Sequence, residues 1–194
     1  MSVYDLIIQR RTLRKFQQKP VSTGLLDQLL DAGRLAPVGG NVQPLEFIAV
    51  HDPATVAALF PLTRWAGYLT NGGPQPGEEP TAYVVIVHNH AVKSPVADQD
   101  IGFAAESIIL TALDAGVASC ALGALDRPAI AALLEIPPDR EVALVIALGY
   151  PAETAVMEEM RGDDVKYWRD ASGVHHVPKR KKESVAFWNK WGGA

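Results

Sequence analysis

Amphipathic spacing near the N-terminus predicts two helices. The first covers residues 3–8, and a basic run at residues 10–15 follows directly, so its arginines lie where this helix ends. Ser22 or Thr23 fits the N-cap of a second helix, which ends near Gly33. The apolar positions are Val3, Leu6 and Ile7 in the first helix and Leu25, Leu26, Leu29 and Leu30 in the second.

Runs of apolar and β-branched residues predict buried strands at 45–51, 82–88 and 141–151. Residues 117–125 predict a short strand followed by a loop. A helix over 127–136 begins with a proline in its first turn, where proline is well tolerated. The order of elements therefore indicates a domain that mixes α and β structure.

A long helix is predicted from Asp100 to Ala115, with apolar residues on most of its faces. Asp98 or Asp100 fits its N-cap, and Gly116 supplies a C-terminal stop. Helices that are apolar nearly all round lie in the middle of a molecule or in an oligomer interface. We expect this helix to have one of those positions.

Regular patterning is lost in two places. The loop 71–80 holds three glycines and three prolines, too many for a helix or a paired strand. After Pro151 the chain is polar and aromatic without a clear period. We interpret residues 1–194 as a single domain in which 152–194 form an extended tail that reaches the partner subunit.

Composition and charge restrict the class of protein. A chain of 194 residues, 48% hydrophobic and 21% charged, suits one globular domain with a sizeable core. The formal net charge of −4 provides no broad positive field, which argues against a nucleic-acid partner. Positive charge is clustered at residues 10–15 and 179–182, which suggests a small anionic ligand.

Three features of the sequence bear on the cellular compartment: the cysteine content, the first residues and the apolar stretches. Cys120 is the single cysteine, so an intramolecular disulfide cannot form. The first residues lack the apolar core of a secretory signal, which favours the cytoplasm. The longest apolar stretch, 103–125, is interrupted by Glu106 and Asp114, so we expect no membrane span.

Two segments carry candidate binding chemistry. The first supplies three guanidinium groups, which bind phosphate bidentately, and one hydroxyl: Arg10, Arg11, Thr12 and Arg14. A solvated helix end whose charges complement the helix dipole explains these residues equally well. In the second, 36–44, paired glycines and the amides of Asn41 and Gln43 fit a planar hydrogen-bonding ring. A turn with incidental amides explains its composition more simply.

Other reactive residues predict no site. The histidines at 88, 90, 175 and 176 match no known metal-ligand spacing, so no metal is expected. Cys120 lies in an apolar segment and is predicted to be a buried, inert thiol. The glycine motifs of tight dinucleotide and P-loop nucleotide sites do not occur in the sequence.

Five segments, read in order, resemble the nitroreductase family: RRTLRKF at 10–16, APVGGNVQPLEF at 36–47, DIGFAAESIILTALDAGVASCALGAL at 100–125, ALGYP at 147–151 and VPKRKKE at 177–183. The resemblance covers nearly the whole chain. It implies an α+β nitroreductase-like fold in which helices flank a central mixed β-sheet. It also implies an intertwined homodimer built on the long helix, with one FMN in each of two interface clefts.

The resemblance further implies roles for the basic residues. Arg10 and the late basic cluster would hold the FMN phosphate, Arg11 and Thr12 would touch the ribityl chain or ring, and Arg14 would face the pyrimidine edge. The late basic cluster comprises Lys179, Arg180 and Lys181, and two of these would reach the phosphate. No side chain is assigned as catalytic, because flavin N5 carries the chemistry.

Two further loops complete the implied site. One comes from the partner subunit and contributes Pro37, Val38, Gly39 and Asn41. The other places a backbone N–H near Gly123 or Ala124 at N5. Val38 and Gly39 stand where family members often carry serines, and Gly123 stands where a glutamate is frequent. These departures remove two hydroxyl contacts and one acidic group from the flavin surroundings.

The implied activity is that of an FMN-dependent oxidoreductase. Hydride would pass from loosely bound NAD(P)H through flavin N5 to a small electron-poor acceptor, such as a nitroaromatic or a quinone, in a ping-pong sequence. The alternatives are a flavin-binding sensor or carrier with little turnover, and a specialised flavin dehydrogenase. The choice between NADH and NADPH is not encoded in any motif of the sequence.

Overall fold

The computed structural model describes residues 2–70 and 72–193; Asn71, the first residue of the loop 71–80, lies outside the described residues. Five helices are described: α1 Val3–Gln9, α2 Thr23–Arg34, α3 Pro53–Leu59, α4 Ala97–Asp114 and α5 Arg127–Leu133. Eight strands are described: β1 Phe16–Gln17, β2 Leu45–Val50, β3 Ala82–Asn89, β4 Ala118–Leu122, β5 Arg140–Pro151, β6 Ala155–Glu159, β7 Trp168–Arg169 and β8 His175–Lys179.

Local capping explains where the first two helices begin. The Ser2 hydroxyl accepts from the Asp5 N–H while the Asp5 carboxylate accepts from the Ser2 N–H, a reciprocal capping box at the start of α1. Ser22 caps α2 by accepting from the Leu25 N–H. Both helices predicted near the N-terminus are confirmed.

The start of α4 differs from the prediction. The helix begins at Ala97 with Val96 at the N-cap, so neither Asp98 nor Asp100 caps it. Both lie inside the first turn, where their charge still complements the helix dipole. The Asp100 carboxylate, 1% exposed, instead accepts from the Gly39 N–H and the Ser94 hydroxyl.

The end of α4 agrees with the prediction. Gly116 follows the helix with a φ of +73°, the left-handed conformation that glycine adopts without steric cost. Its N–H donates to the Leu113 carbonyl, which satisfies one of the unpaired carbonyls of the last turn.

The central sheet has five strands in the order β1-β5-β3-β2, and β4 also pairs with β5. In one detail it differs from the mixed sheet that we expected: each of its described pairings is antiparallel. The physical reason lies in α4, which joins β3 and β4. These two strands run in the same direction, but β5 lies between them, so they do not hydrogen-bond to each other.

Two hydrophobic clusters cover the two faces of this sheet. Val84 and Ile86 of β3 pack with α2 and α4, whereas Tyr83 and Val85 pack on the other face with α3 and α5. Because both faces are buried, β3 is a continuous apolar run. One side of α4 packs on the sheet, where Ala104, Ile108 and Ala112 are buried. The other side is not covered by this chain at Phe103, which is 51% exposed.

Residues 155–179 form a second, three-stranded sheet in the order β6-β8-β7, which the sequence analysis did not predict. The strands β6 and β8 are parallel, and β7 is antiparallel to β8. We call this element the tail sheet. It lies against its own chain through Glu153 and His175, as described below, and the reach of residues 152–194 to a partner subunit stays a prediction.

Within the described part of the chain, no helix combines the length and the apolar character needed to cross a bilayer.

Candidate functional site

The arginine segment, residues 10–14, runs from the end of α1 alongside β4. The Leu13 N–H donates to the Ser119 carbonyl at 3.1 Å, which fixes the segment to this strand. Arg10 forms an ion pair with Glu106 of α4, with 3.3 Å between Nε and Oε1. The Arg11 Nη1 donates to the Arg10 carbonyl. Thr12 is half-buried within the same segment.

A cavity of about 190 Å³ lies beside the first half of this segment. Arg10 and Arg11 line it together with Ala118 and Ser119 of β4. The Arg11 Nε is buried and has no hydrogen-bond partner among the described residues. Burial, and to a lesser extent the neighbouring Arg10 charge, lowers the pKa of Arg11 from its ordinary value.

Arg14 is buried beneath the tail sheet, with 9% of its surface exposed. Its Nη1 lies 3.2 Å from His175 Nε2, and its guanidinium carbon lies 4.8 Å from the centre of the Tyr167 ring. Its backbone N–H donates to the Glu153 carboxylate. The tail therefore holds both the backbone and the side chain of Arg14.

A second cavity of about 250 Å³ joins Arg14 to the loop after β4. Gly123 and Ala124 line it, as do Cys120 and Arg64. Burial raises the pKa of the Cys120 thiol to about 11, so this cysteine is a poor nucleophile at neutral pH. The structure thus brings Arg14 together with Gly123 and Ala124. The resemblance noted in the sequence places all three residues around the same ligand.

The loop at 37–41 is built on the first turn of α4. The Gly39 N–H donates to Asp100 Oδ1 at 2.9 Å, and a Cβ added to Gly39 would lie 2.2 Å from Val96 Cγ2, so a larger residue there requires Val96 or the loop to move. Asn41 has a φ of +54°. The loop residues Pro37, Val38, Gly39 and Asn41 line neither of the two cavities.

The late basic cluster lies at the end of the tail sheet. Lys179 ends β8, Arg180 donates from Nη2 to the Ser184 carbonyl at 3.2 Å, and Lys181 pairs with Glu159 at 3.0 Å. None of the three lines the cavity beside Arg10. The structure therefore does not bring the two basic patches into one site within this chain, and their joint role stays a prediction.

The histidines are dispersed. His88 and His90 lie side by side near the end of β3, with ring centres 4.4 Å apart, and His90 pairs with Glu141. His175 and His176 lie in β8, on the tail sheet. Among the described residues no group of three potential metal ligands converges.

Sequence reasoning missed the residues that surround Arg14. Glu153, Tyr167 and His175 lie in the part of the chain without a clear period, and their contact with Arg14 spans up to 161 residues. Arg64, which lines the second cavity, belongs to no motif. In β8 only His175 is buried, and three half-buried residues and one exposed residue follow it, so no alternating pattern marked His175 as inward-facing.

Comparison with known proteins agrees with this arrangement. The family model described as "Nitroreductase family" matches residues 7–150, which include the arginine segment, the loop at 37–41, α4 and the central sheet. The chain belongs to the nitroreductase family. This finding confirms the resemblance noted in the sequence and the α+β nitroreductase-like class.

Relatives of this nitroreductase-family chain cover most of its length. A protein of Archaeoglobus fulgidus, provisionally named NADH dehydrogenase/NAD(P)H nitroreductase, is 31% identical over 154 residues, 76% of this chain and 84% of that protein. The solved structure of an FMN-dependent nitroreductase from Clostridium difficile R20291 matches with a TM-score of 0.67 and 24% identity, over 95% of this chain and 98% of its own.

A third comparison is with the NADPH:FMN oxidoreductase of Vibrio harveyi, whose structure was solved in complex with NAD+. It matches with a TM-score of 0.65 and 20% identity, over 84% of this nitroreductase-family chain and 74% of its own. At these identities the two solved structures establish the shared fold.

Proposed function

We propose that the chain is an FMN-dependent oxidoreductase that passes hydride from NAD(P)H to a small electron-poor acceptor such as a nitroaromatic or a quinone. One observation carries the proposal: β4 lies beside two cavities that arginines of the segment 10–14 also line. The start of β4 shares one cavity with Arg10 and Arg11, and the rest of β4 shares the other with Arg14. The names of the relatives support the chemistry, since they include an NAD(P)H nitroreductase, an FMN-dependent nitroreductase and an NADPH:FMN oxidoreductase.

The donors in these cavities fit FMN. The buried Nε of Arg11 lacks an acceptor among the described residues, and an unpaired buried donor costs about 1–3 kcal/mol. A phosphate or ribityl oxygen would satisfy it. Arg14 places a second cation in the cavity that Gly123 and Ala124 line, and a ring that gains negative charge would pair with that cation.

Each residue then has a defined task. When bound, FMN supplies hydride acceptance and donation at its N5. Arg10 would hold the phosphate, Arg11 would contact the ribityl chain or ring, and Arg14 would stabilise negative charge at the pyrimidine edge. These are electrostatic tasks rather than acid–base ones, so no proton donor is assigned to a side chain. The tail sheet covers Arg14 and excludes water from its guanidinium, which strengthens that electrostatic effect.

We also propose that the protein is a homodimer in which the loop at 37–41 completes the site of the partner subunit. Asp100 holds this loop in place, yet the loop residues line neither arginine cavity of their own chain. Apolar side chains exposed on α1 and α4 support an interface there; they are Val3, Tyr4, Ile7, Ile8 and Phe103. Trp188 and Trp191, both exposed, support docking of the tail on the partner.

Anaerobic reduction tests the proposed activity. The purified protein should be yellow, release about one FMN per chain on heating, and lose its flavin absorbance when NADH or NADPH is added without air. Release of FAD, or failure to bind FMN on reconstitution, would refute the cofactor. Yellow protein that neither nucleotide bleaches would instead identify a flavin sensor or carrier.

A further inference from the structure

His175 and Arg14 make a buried contact whose chemistry is restricted. His175 is 1% exposed and Arg14 is 9% exposed, and their Nε2 and Nη1 atoms lie 3.2 Å apart. A guanidinium has donors only and stays protonated in proteins. A hydrogen bond between these atoms therefore requires His175 Nε2 to be the acceptor, which means that the imidazole is neutral and carries its proton on Nδ1.

The surrounding groups leave no acceptor for a second imidazole proton. His175 Nδ1 is buried and has no hydrogen-bond partner among the described residues. Among the described residues, Glu153 is the carboxylate that faces this cluster, and its side chain is 2% exposed. Its two oxygens accept from the Arg14 backbone N–H and from Arg169. The second proton of a charged His175 would lie on Nε2 and face the Arg14 guanidinium, which is itself a donor, whereas Nδ1–H lacks an acceptor in either charge state.

Other charges near His175 act in the same direction. Arg14 approaches from the arginine segment, Arg169 from β7 and His176 from its own strand, and the Tyr167 ring packs at 5.2 Å between ring centres. Glu153 alone favours the charged form. Burial, followed by the charge of Arg14, lowers the pKa of His175 below its ordinary value of 6.5.

We propose that neutral His175 is a positioning residue that holds the Arg14 guanidinium for the flavin ring, and that protonation of His175 releases Arg14 and loosens the tail sheet. The effect on the cofactor rests on the proposed FMN function, whereas the coupling between His175 and Arg14 does not. His175 acts through Arg14 and needs no contact with the flavin.

The sign of the pH effect follows from the lowered pKa. An unfolded or released His175 takes up a proton near pH 6.5, whereas the docked His175 takes it up only at lower pH. The docked state therefore gains stability from this residue fully above about pH 6.5 and loses it as the pH falls below that value. Tail docking and Arg14 placement should weaken together in mild acid.

Stopped-flow reduction of the FMN-loaded protein by NADH or NADPH, measured between pH 7 and pH 5, tests the effect on the cofactor. The FMN phosphate takes up a proton near pH 6 in every variant, so only the difference between variants reports on His175. His175→Gln keeps a side-chain oxygen that can accept from Arg14 but does not titrate. His176→Gln is the matched control, because His176 is the adjacent histidine and pairs with Glu158 and Asp170 instead.

Wild-type protein and His176→Gln should show an extra fall in the reduction rate on acidification, at most about tenfold per pH unit for one proton. His175→Gln should lack that extra fall. An identical fall in His175→Gln would overturn the proposal.

Imidazole ¹⁵N NMR on the full-length wild-type chain without added FMN tests the coupling independently. We expect Nδ1 of His175 to show the protonated shift and Nε2 the unprotonated shift at pH 7. On acidification, the tail-sheet amides should lose hydrogen-exchange protection as His175 takes up its proton. The opposite tautomer, or tail protection that does not follow the His175 titration, contradicts the inference. Correct NMR behaviour in a protein that never binds FMN would leave the coupling standing and refute only the proposed function.

Discussion

Arg10 and Arg14 lie in one short segment but have different surroundings. Arg10 pairs with Glu106 at the surface, and its side chain is 27% exposed. Arg14 is buried between Tyr167 and His175 in the cavity that Gly123 and Ala124 line. A phosphate contact is the same for oxidised and reduced flavin, whereas a contact with the ring changes as the ring gains charge.

Arg10→Ala should therefore weaken FMN binding by about 1.5–3 kcal/mol, as expected for a charged hydrogen bond, and leave the reduction rate of the loaded protein unchanged. Arg14→Ala should slow reduction by NAD(P)H, with about tenfold for each 1.36 kcal/mol of lost transition-state stabilisation. Stopped-flow bleaching and FMN titration measure the two effects. Arg34→Ala, which removes an exposed arginine paired with Asp31, is the control. Slow reduction by Arg10→Ala together with FMN loss by Arg14→Ala would invert the assignment.

Cys120 lines the same cavity as Arg14 but should be chemically silent. With a thiol pKa of about 11, only about one molecule in a thousand carries the thiolate at pH 8. We expect alkylation of the folded protein by iodoacetamide to be far slower than alkylation in denaturant. Mass spectrometry over time measures this, and raising the pH towards 10 should accelerate labelling of the native protein. Labelling that is equally fast in both states would show that the thiol is accessible and activated.

Among the elements, the loop at 37–41 depends most on a single position. Gly39→Ala would place a Cβ 2.2 Å from Val96 Cγ2 and push the loop away from Asp100. We expect a loss of about 1–3 kcal/mol in the free energy of unfolding, together with weaker FMN binding in the dimer. Urea denaturation and FMN titration measure these effects.

Gly24→Ala is the matched control, because nothing lies within 4 Å of a Cβ added there in α2. It should raise the stability by up to about 1 kcal/mol through helix propensity. The double variant Gly39→Ala with Val96→Ala should recover part of the loss. Full stability of Gly39→Ala would mean that the loop is not anchored as described.

Sequence patterning captured the elements whose signals are local. The apolar run of β3 and the Gly116 stop of α4 were predicted because neighbouring residues determine them. The start of α2 was predicted to within one residue, with Ser22 or Thr23 as the cap, and Ser22 is the cap. Helix α3 begins with Asp52 and Pro53, a recognisable start signal, but it was not predicted. The contacts of Arg14 could not be predicted, since they join residues that lie 139 and 161 positions apart. The tail sheet was missed although Arg169 and His175 pair locally, because its short strands show no clear alternation of apolar and polar residues.

For the whole molecule, we predict an obligate dimer with an interface above the roughly 2,000 Å² at which permanent complexes begin. Its apolar contribution would come largely from the exposed face of α1. Ile7→Asp combined with Ile8→Asp should yield a folded monomer that binds FMN poorly, because each site would lose the partner's loop. Light scattering and FMN titration check this. Ala57→Asp, on the exposed side of α3, should remain dimeric. A flavin-loaded wild-type monomer at micromolar concentration would contradict the prediction.

The long sequence separation around Arg14 has a consequence for biosynthesis. The partners of Arg14, Glu153 and His175, follow it by 139 and 161 residues. On the ribosome the arginine segment emerges well before the groups that hold Arg14, because synthesis runs from the N-terminus. A nascent chain therefore displays its basic segment without the tail throughout most of translation. We therefore expect the surroundings of Arg14 to be complete only after residues 153 and 175 have emerged, so that FMN present earlier in translation meets an incomplete site.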